Sequence, residues 1–174
     1  MNKYNEALDV AIIAHQGQTR KIGNVPYLFH VMDTAVILHN YGFEEKVVIA
    51  GLLHDVVEKS KITSGDLKKQ FGESVSEIVD ECTATKGTSW KDKKERYLRK
   101  IKNNSAKAVI CADKISYLKE TYRWQKEIGE KVWKIFKTGK NGQRWFHNKL
   151  VVILEFDHPI YREYLKCKKK IFDK

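Results

Sequence analysis

Apolar residues recur at spacings of three and four along almost the whole chain of 174 residues. Such spacing places them on one face of an amphipathic helix. Only two prolines occur, Pro26 and Pro159, so little interrupts the helices. No segment alternates strongly enough between apolar and polar residues to predict a strand. The pattern predicts an all-α bundle in a single domain, since the length suits one well-filled core.

Individual helices can be placed from this pattern. Leu8, Ala11, Ile12 and His15 form the predicted core face of the first helix. The segment EEKVVIAGLLHDVVEK is apolar nearly all round and predicts one central buried helix. A long helix is predicted to begin at an N-cap of Asn104 or Ser105. Four aromatic residues near the C-terminus are expected in the core in preference to stacking on a base: Trp133, Phe136, Trp145 and Phe146.

Composition narrows the class of protein and its partners. The formal net charge is +11, which suits an acidic partner such as a polyphosphate, although most of the excess lysines lie on predicted outward helix faces. No apolar run reaches the roughly 20 residues that span a bilayer, and the N-terminus lacks the features of a signal peptide. The three cysteines are widely spaced and predict reduced thiols, so we expect a cytoplasmic protein without a membrane partner.

The stretch GLLHDVVEKS places His54 and Asp55 side by side inside an apolar helix, with Glu58 one turn further on. Burying charged groups costs several kcal/mol unless they are paired or bind a metal ion. A histidine nitrogen and a carboxylate oxygen can together bind a divalent metal. The stretch therefore predicts half of a metal site, with Glu58 beside it.

His30 and Asp113 are the candidates for the other half of this site. His30 opens the second predicted helix, and Asp113 lies among apolar residues in the long helix. The alternatives are a hydrogen-bonded histidine at a helix end and an ion pair between Asp113 and Lys114. Two histidines and two carboxylates would leave positions open for water, whose pKa such a metal lowers. The other histidines are interpreted as structural.

Four blocks, AHQGQTRKIGNVPYLFH, AGLLHDVVEKS, FGESVSEIVDECT and CADKISYL, resemble in this order the signature blocks of HD-domain phosphohydrolases. The resemblance is to the RelA/SpoT hydrolase domain and its small stand-alone relatives. It implies an α-helical domain with one divalent metal, usually manganese, bound by residues that match His30, His54, Asp55 and Asp113. It also implies a core of residues 1–122 with a helical C-terminal extension, residues 123–174.

The resemblance further implies roles for residues outside the metal site. Arg20 and Lys21 match residues that hold the nucleotide, and Glu58 matches an acid that positions or deprotonates the attacking water. Three positions depart from the family, of which Val31, where a proline is usual after the histidine, has little chemical meaning. Lys59 replaces a second acid that is expected to be catalytic, and Tyr117 replaces an asparagine on the substrate side.

These observations predict a metal-dependent nucleotide phosphohydrolase that removes the 3′-pyrophosphate of guanosine tetra- and pentaphosphate. The departures at Lys59 and Tyr117 keep open another nucleotide or phosphoester as substrate. A catalytically impaired module that binds a nucleotide or nucleic acid is the alternative from another class, although no nucleic-acid-binding motif occurs. The expected partner is a small nucleotide or polyphosphate, and the oligomeric state is not predicted.

Overall fold

A computed structural model describes residues 2–173. Within them the regular structure is helical, with one isolated bridge between Thr19 and Pro26. The prediction of an all-α fold is confirmed. A 3₁₀ helix, Gly129–Ile135, precedes α9. The α-helices in chain order are α1 (Lys3–Ala14), α2 (Leu28–Asn40), α3 (Glu45–Leu53), α4 (Val56–Lys59), α5 (Ser64–Phe71), α6 (Glu73–Cys82), α7 (Trp90–Lys100), α8 (Asn104–Ile128), α9 (Gly139–Ile153) and α10 (Pro159–Phe172).

The core forms around α3, which is buried from Val47 to Leu53. α2, α6 and α8 pack against it, and α10 packs along α8. Gly51 allows α3 to approach α2 closely, because a Cβ at this position would lie 2.4 Å from Cδ1 of the buried Leu38. No helix within residues 2–173 has both the length and the hydropathy for crossing a membrane.

The prediction of one helix through EEKVVIAGLLHDVVEK was wrong. α3 ends at Leu53 and α4 begins at Val56, so His54 and Asp55 lie at a break. The Nδ1 of His54 bonds to the carbonyl oxygen of Gly51, which an uninterrupted helix would use for the N–H of Asp55. The break therefore follows from a side chain that competes for a backbone acceptor.

Two smaller expectations also need correction. Ile12 is 45% exposed, because the buried face of α1 consists of Ala7, Ala11 and Ala14. The long helix α8 is capped one residue earlier than predicted, by Asn103, whose side chain accepts a hydrogen bond from the N–H of Ala106.

The C-terminal segment is packed onto the rest of the chain. Trp133 and Phe146 are buried, as expected of core residues, while Phe136 and Trp145 are half-buried. The proposed division between residues 122 and 123 falls inside α8. The extension thus continues a helix that also carries Asp113.

Candidate metal centre and adjoining cavity

Four ionisable side chains from three parts of the chain meet beside the break between α3 and α4. His30 lies in the first turn of α2, His54 and Asp55 lie at the break, and Asp113 lies in α8. One ligand atom from each of His30, His54 and Asp55 lies within 4.8 Å of the others. The Nε2 of His30 is 3.2 Å from Oδ1 of Asp113. The fold therefore brings His30, His54 and Asp55 within reach of one metal ion and places the fourth predicted ligand, Asp113, beside His30.

The imidazole of His54 has one nitrogen satisfied and one unpaired. Its Nδ1 lies 2.8 Å from the carbonyl oxygen of Gly51, which can only accept, so Nδ1 carries the proton. Its Nε2 therefore has a lone pair, is buried, and has no hydrogen-bond partner among residues 2–173. Asp55 Oδ2, at 3.5 Å from Nε2, is also an acceptor. A metal ion would satisfy both atoms.

His30 is held in a similar way. Its Nδ1 is 3.2 Å from Oγ of Ser116, which leaves Nε2 directed at Asp113. Burial lowers the pKa of His30, so the neutral imidazole that binds metals is favoured. Its ring lies edge-on to that of His54, with centroids 5.4 Å apart.

The two carboxylates are kept ionised. Burial alone would raise the pKa of Asp113, but Lys114, with Nζ 2.6 Å from Oδ2, and His30 hold that pKa well below its usual range. For Asp55, burial is likewise outweighed by His54 and Lys59, and its pKa is lowered to about 2. The hydroxyl of Tyr27 donates a hydrogen bond to Oδ2 of Asp55. Both groups are therefore carboxylates at neutral pH.

These residues fit a divalent metal ion. Imidazole nitrogens and carboxylate oxygens are ligands that manganese, iron and zinc all accept. Hydrogen bonds from metal-binding side chains to further protein groups orient them and affect metal affinity. Gly51, Ser116 and Tyr27 provide such partners here. The ligand roles themselves stay predictions.

Glu58 and Lys59 follow the metal centre on α4. The side chain of Glu58 is 39% exposed, and one of its carboxylate oxygens accepts a hydrogen bond from the backbone N–H of Ala84 at 3.4 Å. The Nζ of Lys59 lies 3.7 Å from Glu58 and 5.0 Å from the ring centroid of Tyr27. The predicted catalytic acid is thus accessible to water and is paired with the cation that replaces the second acid.

A cavity of about 480 Å³ adjoins the metal centre through Tyr27. The predicted substrate residues Arg20, Lys21 and Tyr117 all line it, together with Lys59. Such a volume suits a small ligand. The remaining lining residues are Gln18, Thr19, Ile22, Tyr27 and Phe136.

Arg20 is already paired in this cavity. Its Nε donates to Oε2 of Glu120 at 2.9 Å, and a second guanidinium nitrogen donates to the same oxygen. The side chains of Arg20 and Glu120 are only 11% and 15% exposed. The charge of Arg20 is therefore neutralised by Glu120 of α8. Among the described residues, the other cations that line the cavity, Lys21 and Lys59, form no ion pair with α8.

Tyr117 joins the cavity to the C-terminal segment. Its ring lies 5.9 Å from that of Phe136 and is stacked at 5.8 Å on that of His147. Its hydroxyl donates to Oε1 of Gln143 at 3.3 Å. A tyrosine here therefore closes one wall of the cavity, where an asparagine would leave space.

Sequence reasoning missed Tyr27 and Glu120. Tyr27 precedes His30 by three residues, a spacing that places both on one side of a helical turn. Glu120 lies 100 residues from Arg20, and no local pattern indicates that pair.

The helical fold and its group of histidine and aspartate side chains define a class of metal-binding α-helical domains. The family described as "HD domain" matches residues 7–137. The chain belongs to this family, as the sequence blocks indicated.

Relatives with known sequences support the same assignment. The chain is 37% identical over 95 residues to the bifunctional (p)ppGpp synthase/hydrolase SpoT of Escherichia coli K12 and 41% identical over 86 residues to guanosine-3′,5′-bis(diphosphate) 3′-pyrophosphohydrolase of Vibrio cholerae. These alignments cover 55% and 49% of this chain. They cover only 13% and 12% of those relatives, so the chain spans about an eighth of their length.

Solved structures cover more of the chain. The protein lmo0812 of Listeria monocytogenes EGD-e is 34% identical with a TM-score of 0.77, over 83% of this chain and 99% of that one. A metazoan orthologue of SpoT, described as hydrolysing ppGpp, has a TM-score of 0.79 over 96% of this chain and 94% of that one. At 24% identity, this second likeness concerns the fold alone.

Proposed function

We propose that this protein is a metal-dependent phosphohydrolase that releases pyrophosphate from the 3′ position of guanosine 3′-diphosphate alarmones. The observation that carries the proposal is the convergence of His30, His54, Asp55 and Asp113 beside a cavity lined with cations. The hydrolase names of the bacterial relatives support the substrate.

The proposed chemistry divides between the metal centre and Glu58. His30, His54, Asp55 and Asp113 would hold a divalent ion, which would lower the pKa of water and polarise a phosphoryl oxygen. Glu58, on the adjacent turn and accessible to water, orients the attacking water and accepts its proton. The water oxygen then forms the new bond to phosphorus, the bond from phosphorus to the 3′ oxygen breaks, and that oxygen takes up a proton from solvent to leave as a hydroxyl, while Glu58 releases its proton to solvent.

The cavity residues bind the rest of the substrate. Lys21 and Lys59 bind phosphate oxygens, since neither is paired with a carboxylate of α8. The neutralised Arg20 and the aromatic rings of Tyr117 and Phe136 favour the flat, uncharged nucleobase.

Three finer statements belong to the same proposal. The metal is manganese, which the family resemblance favours and the ligand types allow. The ligand is a nucleotide, which the size and lining of the cavity support. The protein acts in the cytoplasm, where its three free cysteines stay reduced.

The test is a hydrolysis panel with the purified, manganese-loaded protein. We expect pyrophosphate release from guanosine 3′,5′-bis(diphosphate), no release by His54→Ala, and weaker turnover of GTP, GDP and simple phosphoesters. Turnover of another compound in the panel, with none of the alarmone, would exclude the alarmone and retain the reaction type.

A second candidate substrate, another nucleotide or phosphoester, is favoured by Lys59 and Tyr117. Lys59 places an ammonium where relatives have a carboxylate, and Tyr117 narrows the cavity beside Phe136. If these residues redirect the enzyme, the double variant Lys59→Asp, Tyr117→Asn will hydrolyse the alarmone faster than the wild type. A double variant with lower alarmone turnover would show that both residues serve that substrate.

A non-enzymatic nucleic-acid-binding role is tested separately. An electrostatic binder loses affinity steeply as salt rises, and His54→Ala would leave that affinity unchanged. The proposed enzyme shows the opposite behaviour, because His54→Ala removes turnover.

A further inference from the structure

Lys94, on α7, is half-buried beside two aromatic rings. Its Nζ lies 4.5 Å from the ring centroid of Phe146 and 5.7 Å from that of Tyr97. No carboxylate of residues 2–173 forms an ion pair with it, in contrast to Lys59 and Lys114. Aromatic faces attract an ammonium group but do not neutralise it.

Phe146 connects Lys94 to the metal centre. The Nζ of Lys114 lies 5.9 Å from the same ring and 2.6 Å from Oδ2 of Asp113. Two ammonium groups therefore share one aromatic ring, and one of them contacts a candidate metal ligand. The carboxylates of Glu58, Asp113 and Asp55 all act electrostatically on Lys94.

The electrostatic environment of Lys94 also favours an anion as its partner. Burial, followed by the nearby Lys114, lowers the pKa of Lys94 to about 8. At neutral pH the group is still largely protonated, although it has lost part of its hydration. An anion that binds beside such a cation would stabilise it.

The charges near the metal centre indicate that the anion paired with Lys94 is a bound small molecule and not a side chain of the protein. Asp113 is paired with Lys114, and Glu58 with Lys59. A divalent ion would add two positive charges beside Asp55. Lys94 is then a positive charge in excess, with no acidic partner left among these groups.

We propose that Lys94 binds a phosphoryl oxygen of the diphosphate group at the metal centre, in the substrate and in the released pyrophosphate. This inference rests on the proposed function for the identity of the substrate. It assigns α7 and the Phe146 ring a part in phosphate recognition, in addition to the cations of the cavity.

The test measures binding of inorganic pyrophosphate to the full-length, manganese-loaded protein by calorimetry. We expect Lys94→Met to weaken binding by roughly ten- to a hundredfold, the range for hydrogen bonds to charged groups. Lys94→Arg keeps the charge and should restore binding to within a few-fold of the wild type. Lys93→Met is the matched control, because it removes the same charge from an exposed position on α7, and it should change binding less than twofold.

The inference is overturned by equal pyrophosphate affinity of Lys94→Met and Lys93→Met, or by no binding of pyrophosphate by the wild type. Thermal unfolding of each variant identifies a folding defect, and a loss that Lys94→Arg fails to restore in a folded protein also counts against it. The proposed function fails independently, if pyrophosphate binding depends on Lys94 while no alarmone is hydrolysed. In steady-state kinetics, Lys94→Met should raise KM for the hydrolysed substrate, which a purely structural residue would not do at unchanged Tm.

Discussion

Tyr27 is the residue through which the metal centre and the cavity contact each other. Its hydroxyl donates to Asp55, while Lys59 lies over its ring at 5.0 Å and the guanidinium of Arg20 at 5.6 Å. Burial, followed by the charge of Asp55, raises the pKa of Tyr27, so the hydroxyl remains a proton donor. One side chain thus orients a candidate ligand and forms part of the cavity wall.

Tyr27→Phe is expected to weaken metal binding. Removing the hydroxyl frees Asp55 to rotate, and loss of such a supporting hydrogen bond typically costs about 10- to 100-fold in metal affinity. A manganese titration of the apoprotein measures this change. Tyr161→Phe is the control, since its hydroxyl bonds to the carbonyl of Val151, far along the chain from the centre. Equal manganese affinities for the two variants would argue against this role for Tyr27.

Glu58→Gln should remove catalysis and leave the metal in place. An amide cannot accept the proton of the attacking water, and general-base catalysis contributes about 10²- to 10⁴-fold. We therefore expect kcat to fall by about a hundredfold or more, with KM and metal content near those of the wild type. Glu77→Gln, an exposed change on α6, is the matched control. Retained kcat in Glu58→Gln would assign the proton transfer to another group.

For single residues, the sequence alone identified those whose charge is unexpected among apolar neighbours. His54, Asp55 and Asp113 were recognisable on that ground. Tyr27 and Glu120 were not, because a tyrosine after proline and a glutamate on a helix need no special explanation. Their importance arises from contacts across 28 and 100 residues.

At the scale of elements, the break between α3 and α4 determines the direction of two candidate ligands, His54 and Asp55. An unbroken helix would separate His54 and Asp55 by about 100° around its axis. The hydrogen bond of His54 to Gly51 instead replaces a backbone interaction at this point. Hydrophobic periodicity could not reveal the break, since the residues on both sides of it are apolar.

The packing of α9 against α8 should contribute a pH-dependent term to stability. His147 is buried between Tyr117 and Tyr164, and burial, followed by Lys114, lowers its pKa to about 3. The unfolded chain takes up this proton near pH 6.5 and the folded protein only near pH 3. Stability from His147 is therefore complete above about pH 6.5 and is lost as the pH falls through this range.

Urea unfolding between pH 7 and pH 4 measures this term. For one such histidine, the slope of the unfolding free energy approaches about 1.4 kcal/mol per pH unit. His147→Gln should reduce the wild-type slope by up to that amount, whereas the exposed His39→Gln should not. Comparing slopes separates His147 from Asp55 and Asp113, which also destabilise the protein as the pH falls. Identical slopes for both variants would mean that His147 is protonated in the folded state.

For the whole molecule, the C-terminal segment forms part of the candidate site. The rings of Phe136 and Tyr117 contact each other in the cavity wall, and the ammonium groups of Lys94 and Lys114 lie near the ring of Phe146. The resemblance to the family alone covered the chain only to about Tyr122, so the contribution of later helices depended on tertiary contacts. The all-α class, by contrast, followed from spacing that is visible throughout the sequence.

The account depends most on one divalent ion bound by four side chains. The most direct measurement is a crystal structure of the manganese-loaded protein, with anomalous scattering collected at the manganese edge. We predict one peak bonded to Nε2 of His30, Nε2 of His54, and a carboxylate oxygen from each of Asp55 and Asp113. A peak elsewhere in a fully loaded protein, or no peak when manganese binding in solution is saturated, would contradict the account.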